Sequence, residues 1–271
     1  MSDRTRVGFV GLGNIGKPMA LRLAAADGIE LTVHDVVPDP VAELVAAGAT
    51  AAESVAAIEA DVVCVMVRDD EQVRSVAADV GPGTVLVVHS TVAPSTPAEL
   101  AAQGLTVLDA PVSGGAMGAA DGTLAIMVGG ADDAVAAARP ALDAMSSYVV
   151  HAGPLGAGTR MKLARNLMHF VAFTAATEAQ RLAEASGLDI VELGRVVRHT
   201  DAITGGPGAI MHRDTTAPLA PDDFWYGVFE HVVALGEKDL AFAIELADEQ
   251  GVDVPLARLA LERLGKGLGL G

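Results

Sequence analysis

Two rhythms of apolar and polar positions divide this chain. From Thr5 to about His151, short β-branched runs alternate with alanine-rich helical stretches. That alternation predicts parallel strands joined by crossover helices. The strands are expected at Thr5 to Val10, Glu30 to Val33, Asp61 to Val67, Thr84 to His89, Leu105 to Asp109 and Leu124 to Val128, with a short one near Tyr148 to His151. Their near-continuous apolar character suits strands covered by helices on both faces. Gly48, Gly81-Pro82-Gly83, Pro94, Pro97 and Gly104 punctuate the joints.

After Gly153-Pro154-Leu155-Gly156-Ala157-Gly158 the strand pattern stops and the remainder reads as helices. Residues 1–153 are therefore expected to form one domain and residues 154–271 a second, all-α one. Thr159 to Ser186 contains no helix breaker and predicts a long helix, apolar on nearly every face between Leu167 and Ala176. A helix apolar all round is buried, so it is expected to run through the centre of the second domain or through a subunit contact. Further helices are predicted near Ile190 to Arg198, Val228 to Gln250 and Pro255 to Leu264, with a Gly/Pro-rich loop from Thr204 to Pro221.

Composition narrows the function. The chain has 271 residues, half of them apolar, enough to bury a real core, and carries a formal charge of -17 from 35 acidic and 18 basic residues. Such acidity without a basic patch argues against nucleic acid and anionic membranes as partners. No apolar stretch is long enough to span a bilayer, and the N-terminus runs into the first strand without a signal-type segment, so a cytoplasmic location is expected. The single cysteine, Cys64, sits within an apolar run and reads as a buried thiol. The seven histidines include no i, i+4 pair, and no metal site is predicted.

Gly11-Leu12-Gly13-Asn14-Ile15-Gly16 follows the first strand directly and precedes a predicted helix from Lys17 to Ala26. In that context Gly11 permits a tight turn, Gly13 lets backbone approach a pyrophosphate, and Gly16 allows close packing of helix on strand. The first domain thus reads as a Rossmann-type dinucleotide-binding domain. The fold class is α/β: a doubly wound parallel sheet, then an all-α domain built around a long central helix. Asp35 ends the second strand about 20 residues beyond the glycines, where a carboxylate would bind the adenine ribose hydroxyls and repel a 2′-phosphate. NAD is favoured, with NADP still open.

Two segments carry candidate chemistry. Asp109-Ala110-Pro111-Val112-Ser113-Gly114-Gly115 follows a strand and offers hydroxyl and backbone donors suited to a carboxylate, or simply a tight turn. Gly156 to Asn166 places Lys162 and Asn166 at i, i+4 on one face of the long helix. A lysine near a helix N-terminus opposes the macrodipole, which with partial burial would lower its pKa toward acid-base use. A solvated surface charge is the other reading.

In these motifs, and in Lys238-Asp239-Leu240, the chain resembles the β-hydroxyacid dehydrogenases, the group containing 3-hydroxyisobutyrate dehydrogenase. The resemblance spans nearly the whole chain. It implies an oxidoreductase moving a hydride between nicotinamide and a small 3-hydroxy acid or aldehyde acid. Lys162 would be the catalytic acid-base, with Asn166 beside it. Ser113, Gly114 and Gly115 would hold the substrate carboxylate. Lys238 would reach the cofactor and active site, and Ser90-Thr91 would lie near the nicotinamide ribose. Leu12, Asn14, Ile15 and Val67 join Gly11, Gly13, Gly16 and Asp35 in the implied cofactor site.

The resemblance also implies a homodimer or homotetramer through the helical domain. Departures fall at Val67-Arg68-Asp69-Asp70, where relatives often have Leu-Pro, and at Val88, where an acidic residue is common. Phe224, Trp225 and Tyr226 either shape the substrate pocket or pack the helical core. Rival functions are an NADPH-dependent imine reductase, a 6-phosphogluconate dehydrogenase-like enzyme, which would need a basic substrate-phosphate pocket that the scarce arginines do not supply, and a non-catalytic dinucleotide sensor. Retention of Lys162 with Asn166, and the NAD-type Asp35, oppose the first, and retention of Lys162, Asn166 and Ser113 together opposes the sensor.

Overall fold

The computed structural model describes residues 4–213 and 215–270. The chain divides into two compact units, Met1–Arg165 and Asn166–Gly271. In the first unit, strands β1 (Thr5–Val10), β2 (Ile29–His34), β3 (Thr50–Ala51), β4 (Val62–Val65), β5 (Val85–Val88), β6 (Thr106–Asp109), β7 (Val112–Ser113), β8 (Leu124–Gly129) and β9 (Ser146–Gly153) form one sheet. Its order is β3-β2-β1-β4-β5-β6-β8-β7, with β9 paired to β8. Helices α1 (Gly16–Ala24), α2 (Pro38–Ala46), α3 (Asp70–Ala78), α4 (Thr96–Ala101), α5 (Gly115–Asp121) and α6 (Asp132–Met145) connect the strands.

The apolar runs bury on both faces, as their composition requires. In β4, Val62 and Cys64 pack with Phe9, Met19, Leu23 and Leu142, while Val63 and Val65 pack with Val73, Leu86 and Leu100 on the other side. Burial pushes the Cys64 thiol up to about 12, which makes it an inert core residue.

Strand direction departs from the sequence reading at one place. β1, β2, β3, β4, β5 and β6 pair in parallel, but β8 runs antiparallel to both β6 and β7. Asp109 faces Gly129, Val112 faces Ile126 and Ser113 faces Ala125 in one unbroken register. β6 and β7 are thus one line of chain interrupted at Ala110-Pro111, where proline lacks the N–H a ladder needs.

Helix α7 (Ala157–Ala185) crosses from the first unit into the second, so the compact units part at 165/166, whereas the change in sequence rhythm falls at 153/154. α8 (Ile190–Thr204), α9 (Phe224–Glu249) and α10 (Pro255–Gly267) complete the second unit. Its buried clusters are small: Leu219, Phe229 and Leu268 in one, Ile244, Ala247 and Val254 in the other. Trp225 and Tyr226 pack on the first cluster, and Trp225 stacks on His212 at 5.3 Å, so both are packing residues. Phe224 is exposed. Glu178, buried on α7, accepts N–H groups of Leu256 and Ala257 at 2.9 and 3.1 Å and caps α10.

The sequence left the apolar stretch of α7 buried either in its own domain or in a subunit contact, and in the single chain its own domain does not bury it. Among the described residues Leu167 is 70% exposed, Phe170 58% and Phe173 54%. Among the described residues no helix is long and apolar enough to cross a membrane.

Candidate functional site

The glycine-rich turn closes as its sequence demands. Gly11 has φ +95°, and a Cβ there would strike the Met66 carbonyl. A Cβ on Gly16 would collide with the carbonyl of Gly11, so α1 sits directly on the turn. Gly13 differs: nothing lies within 4 Å of where its Cβ would be. It opens on a cleft of about 660 Å³ lined by Gly11, Gly13, Asp35, Met66, Val67 and Arg68. Leu12 and Gly16 are buried beneath the turn, Ile15 is half-buried and Asn14 is exposed. A backbone cradle left open by a glycine, at the start of a helix, fits a dinucleotide pyrophosphate.

Asp35 forms the next stretch of the wall. Its carboxylate accepts the Leu12 N–H at 2.5 Å and the Val37 N–H at 2.8 Å, which ties the end of β2 to the glycine turn. Glu53 and Asp79 line the same cleft, and Arg68 is the one arginine or lysine among the described residues lining it. Sequence reasoning missed Glu53, Gln72 and Asp79 as cleft residues. They belong to no motif, and only the order of the sheet brings them to it.

Val67 is held by Ser90, whose Oγ accepts the Val67 N–H at 2.9 Å and donates to its carbonyl at 2.7 Å. Ser90 is thereby buried against the cleft wall, while Thr91 is exposed. Beside it His89 is wholly buried, with Nδ1 2.8 Å from the Ala110 carbonyl and Nε2 without a partner. Burial disfavours the imidazolium and pushes His89 down to about 4 from 6.5. The unfolded chain then binds a proton that the folded chain refuses between those values. Stability is lost as pH falls from about 6.5 to about 4, by roughly 3 kcal/mol from this residue. Urea midpoints at pH 7 and pH 4.5 are expected to fall less steeply in His89→Gln than in the wild type. Equal falls would refute the assignment.

The second cluster gathers at the end of β6. Gly114 has φ +137° and Gly115 φ +65°, so the backbone after half-buried Ser113 turns as only glycines readily allow and opens α5. Asp109, fully buried, accepts the Gly156 N–H at 2.7 Å and the Thr159 N–H at 2.6 Å, across the first turn of α7. Lys162 lies one turn farther along α7 and is only 8% exposed. Its pKa is lowered, first by burial and then by the charge of Arg165. The solvated-charge reading of Lys162 therefore fails.

The first unit holds the glycine turn, Asp35, Val67, Ser90, Thr91, Ser113, Gly114, Gly115 and Lys162. Ser113 and Lys162 do not line the glycine-turn cleft. Asn166 follows Lys162 by four residues on α7 but is counted with the second unit. Lys238 lies on α9 of that unit, paired with Asp239 at 3.1 Å.

Residues 6–153 match the model for the NAD-binding domain of 6-phosphogluconate dehydrogenase, and residues 156–267 match that for the NAD-binding domain of NADP-dependent 3-hydroxyisobutyrate dehydrogenase. An uncharacterized oxidoreductase of Mycobacterium tuberculosis is 52% identical, over 99% of this chain and 95% of that protein. The NAD-dependent L-serine dehydrogenase of Pseudomonas aeruginosa is 38% identical, over 94% and 90%. A crystal structure of a putative oxidoreductase from Mycobacterium avium superposes with a TM-score of 0.94 at 49% identity, covering 98% of this chain and 99% of that one. Solved imine reductases, at 17 to 21% identity, share the fold alone. With both halves matched and the dinucleotide cradle in place, the chain belongs to the 3-hydroxyisobutyrate dehydrogenase family of NAD(P)-dependent oxidoreductases.

Proposed function

We propose that this enzyme oxidises a small 3-hydroxy acid to the aldehyde acid, or runs the reverse reduction, with Lys162 as general acid-base. The observation that carries this reading is the buried lysine itself: a cation 8% exposed, its pKa lowered, one turn into a helix whose start is held by Asp109 at the end of β6. Burying an ammonium is costly, and a stable helix start has no use for one.

When bound, the nicotinamide would supply the hydride acceptor for oxidation at the substrate's carbinol carbon and the hydride donor for reduction. In oxidation, Lys162 Nζ takes the hydroxyl proton as the carbon–oxygen bond becomes a carbonyl; in reduction the same proton goes back. Ser113 and the backbone at Gly114 and Gly115 hold the substrate carboxylate, and Asn166, four residues beyond Lys162 on α7, orients the reacting group. Gly11 to Gly16, Asp35, Val67, Ser90 and Thr91 bind the dinucleotide. Three cleft carboxylates, Asp35, Glu53 and Asp79, favour NAD over NADP by repelling a 2′-phosphate.

The test follows nicotinamide absorbance with L-serine, 3-hydroxyisobutyrate and related hydroxy and aldehyde acids, using NAD and NADP forms. L-serine belongs in the panel because a 38% identical relative is an L-serine dehydrogenase. Turnover of a hydroxy acid with NAD preferred is expected. Reaction with imines alone, or with nothing while dinucleotide still binds, would overturn the reading.

We also propose a homodimer or homotetramer through the helical unit, because Leu167, Phe170 and Phe173 on α7 and Val196 and Val197 on α8 stand exposed in the single chain. Light scattering is expected to give at least twice the chain mass, and Phe170→Asp to lower it. A monomeric wild type would refute this.

A further inference from the structure

We infer that Asp109 is the positioning residue for Lys162: one buried carboxylate holds the start of the lysine's helix to the sheet edge from which the Ser113 turn departs. The inference rests on the acid-base reading of Lys162 given above.

A helix N-terminus is ordinarily satisfied locally. Its free N–H groups need an acceptor, and a local serine, threonine or aspartate at the cap supplies one at the surface without burying charge. α7 does otherwise. Its acceptors come from 47 and 50 residues earlier in the chain, through the Gly156 and Thr159 N–H groups bound to the two oxygens of Asp109. Asp109 is fully buried, and a buried carboxylate is expensive unless it is fully engaged. Stability alone gives no reason to prefer this remote, buried cap to a local one.

Geometry supplies the reason. Asp109 ends β6, and Ser113 lies four residues farther on in the same register against β8. Thr159 lies three residues before Lys162 on α7, which is one helical turn. A single side chain thus joins the segment assigned to the substrate carboxylate with the segment assigned to its proton. The approach is cleared for it. A Cβ on Gly129 would press on Asp109 Oδ1, and one on Gly158 would meet the carbonyls of Met127 and Asp109. Neither oxygen of Asp109 can shift without moving the first turn of α7, and with it Lys162.

Asp109→Asn keeps the shape, removes the charge and replaces one acceptor oxygen with an amide donor facing an N–H. With folding confirmed by melting curves, kcat is expected to fall by about 100-fold, while the Kd for NADH, read at the separate glycine-turn cleft, stays within about twofold. In a Lys162→Ala background the same change is expected to cost no more than about twofold, because the group it positions is gone. If Asp109→Asn does not fold, Asp109→Glu serves. It keeps the charge and both acceptors but displaces the helix start by a methylene, and the same pattern is expected.

A folded variant with unchanged kcat, or an equal loss with and without Lys162, would overturn the inference and leave Asp109 a structural cap. If Lys162→Ala itself leaves turnover intact, the acid-base reading falls first and this inference with it. The single Lys162 variant therefore separates the two failures.

Discussion

Lys162→Ala is expected to lower kcat by roughly 10³, about 4 kcal/mol in activation free energy, while leaving the Kd for NADH nearly unchanged. The two effects separate because the lysine and the glycine-turn cleft are different parts of the first unit. Gly11, Gly13 and Asp35 line the cleft, and Lys162 does not. The pH profile provides a second readout. Oxidation needs the neutral amine, so wild-type turnover should rise with pH through the pKa of Lys162. Burial holds that pKa below the usual lysine range, and the charge of Arg165 lowers it further. The limb should therefore appear at lower pH than for a solvated lysine and vanish in the alanine variant. Lys162→Arg keeps a charge that does not deprotonate and should be nearly as slow. Full activity in either variant would remove Lys162 from the mechanism.

Much of the glycine turn and of the candidate dinucleotide cleft was legible in the sequence because its constraints are local. Gly11 needs a positive φ and Gly16 needs to be bare of side chain, whatever the rest of the chain does, so G-x-G-x-x-G after a strand is readable from residue identity. Asp35 was readable by its distance along the chain from that turn. The direction of β8 was not. An apolar run buried on both faces looks the same running either way, and only the pairing of Asp109 with Gly129 and Val112 with Ile126 shows it antiparallel.

The exposure of Phe170 and Phe173 was hidden for a related reason. Sequence shows that a helix face is apolar but not what covers it, and the long apolar helix left two occupants open, its own domain or another subunit. The buried partnership of Asp109 with α7 was equally illegible, since it joins residues 47 and 50 positions apart with no motif between them. Lys162 stood between the two cases. Its place near a helix start was visible, but the burial that lowers its pKa depends on how α7 seats on the sheet.

That seating sets the last expected result, in which the sign is the informative part. Gly158 lies within the first turn of α7 at an ordinary φ, and by helix propensity alone Gly158→Ala should stabilise the protein by about 1 kcal/mol. The opposite is expected. The added Cβ would run into the carbonyl oxygens of Met127 and Asp109 and come to 3.0 Å from the Gly129 N. All three are backbone atoms of β6 and β8, interior strands of the sheet, which cannot swing aside as a side chain can. The loss should exceed the about 1–3 kcal/mol of ordinary core overpacking and lower Tm by roughly 10 °C. Gly13→Ala is the matched control: its Cβ meets nothing within 4 Å, so its Tm should hold while dinucleotide binding weakens. A Gly158→Ala variant as stable as the wild type would mean that α7 stands off the sheet, too far for the Gly156 and Thr159 N–H groups to reach Asp109. Its marked destabilisation would place the helix start against the strands, at the only distance from which the carboxylate can hold both amides.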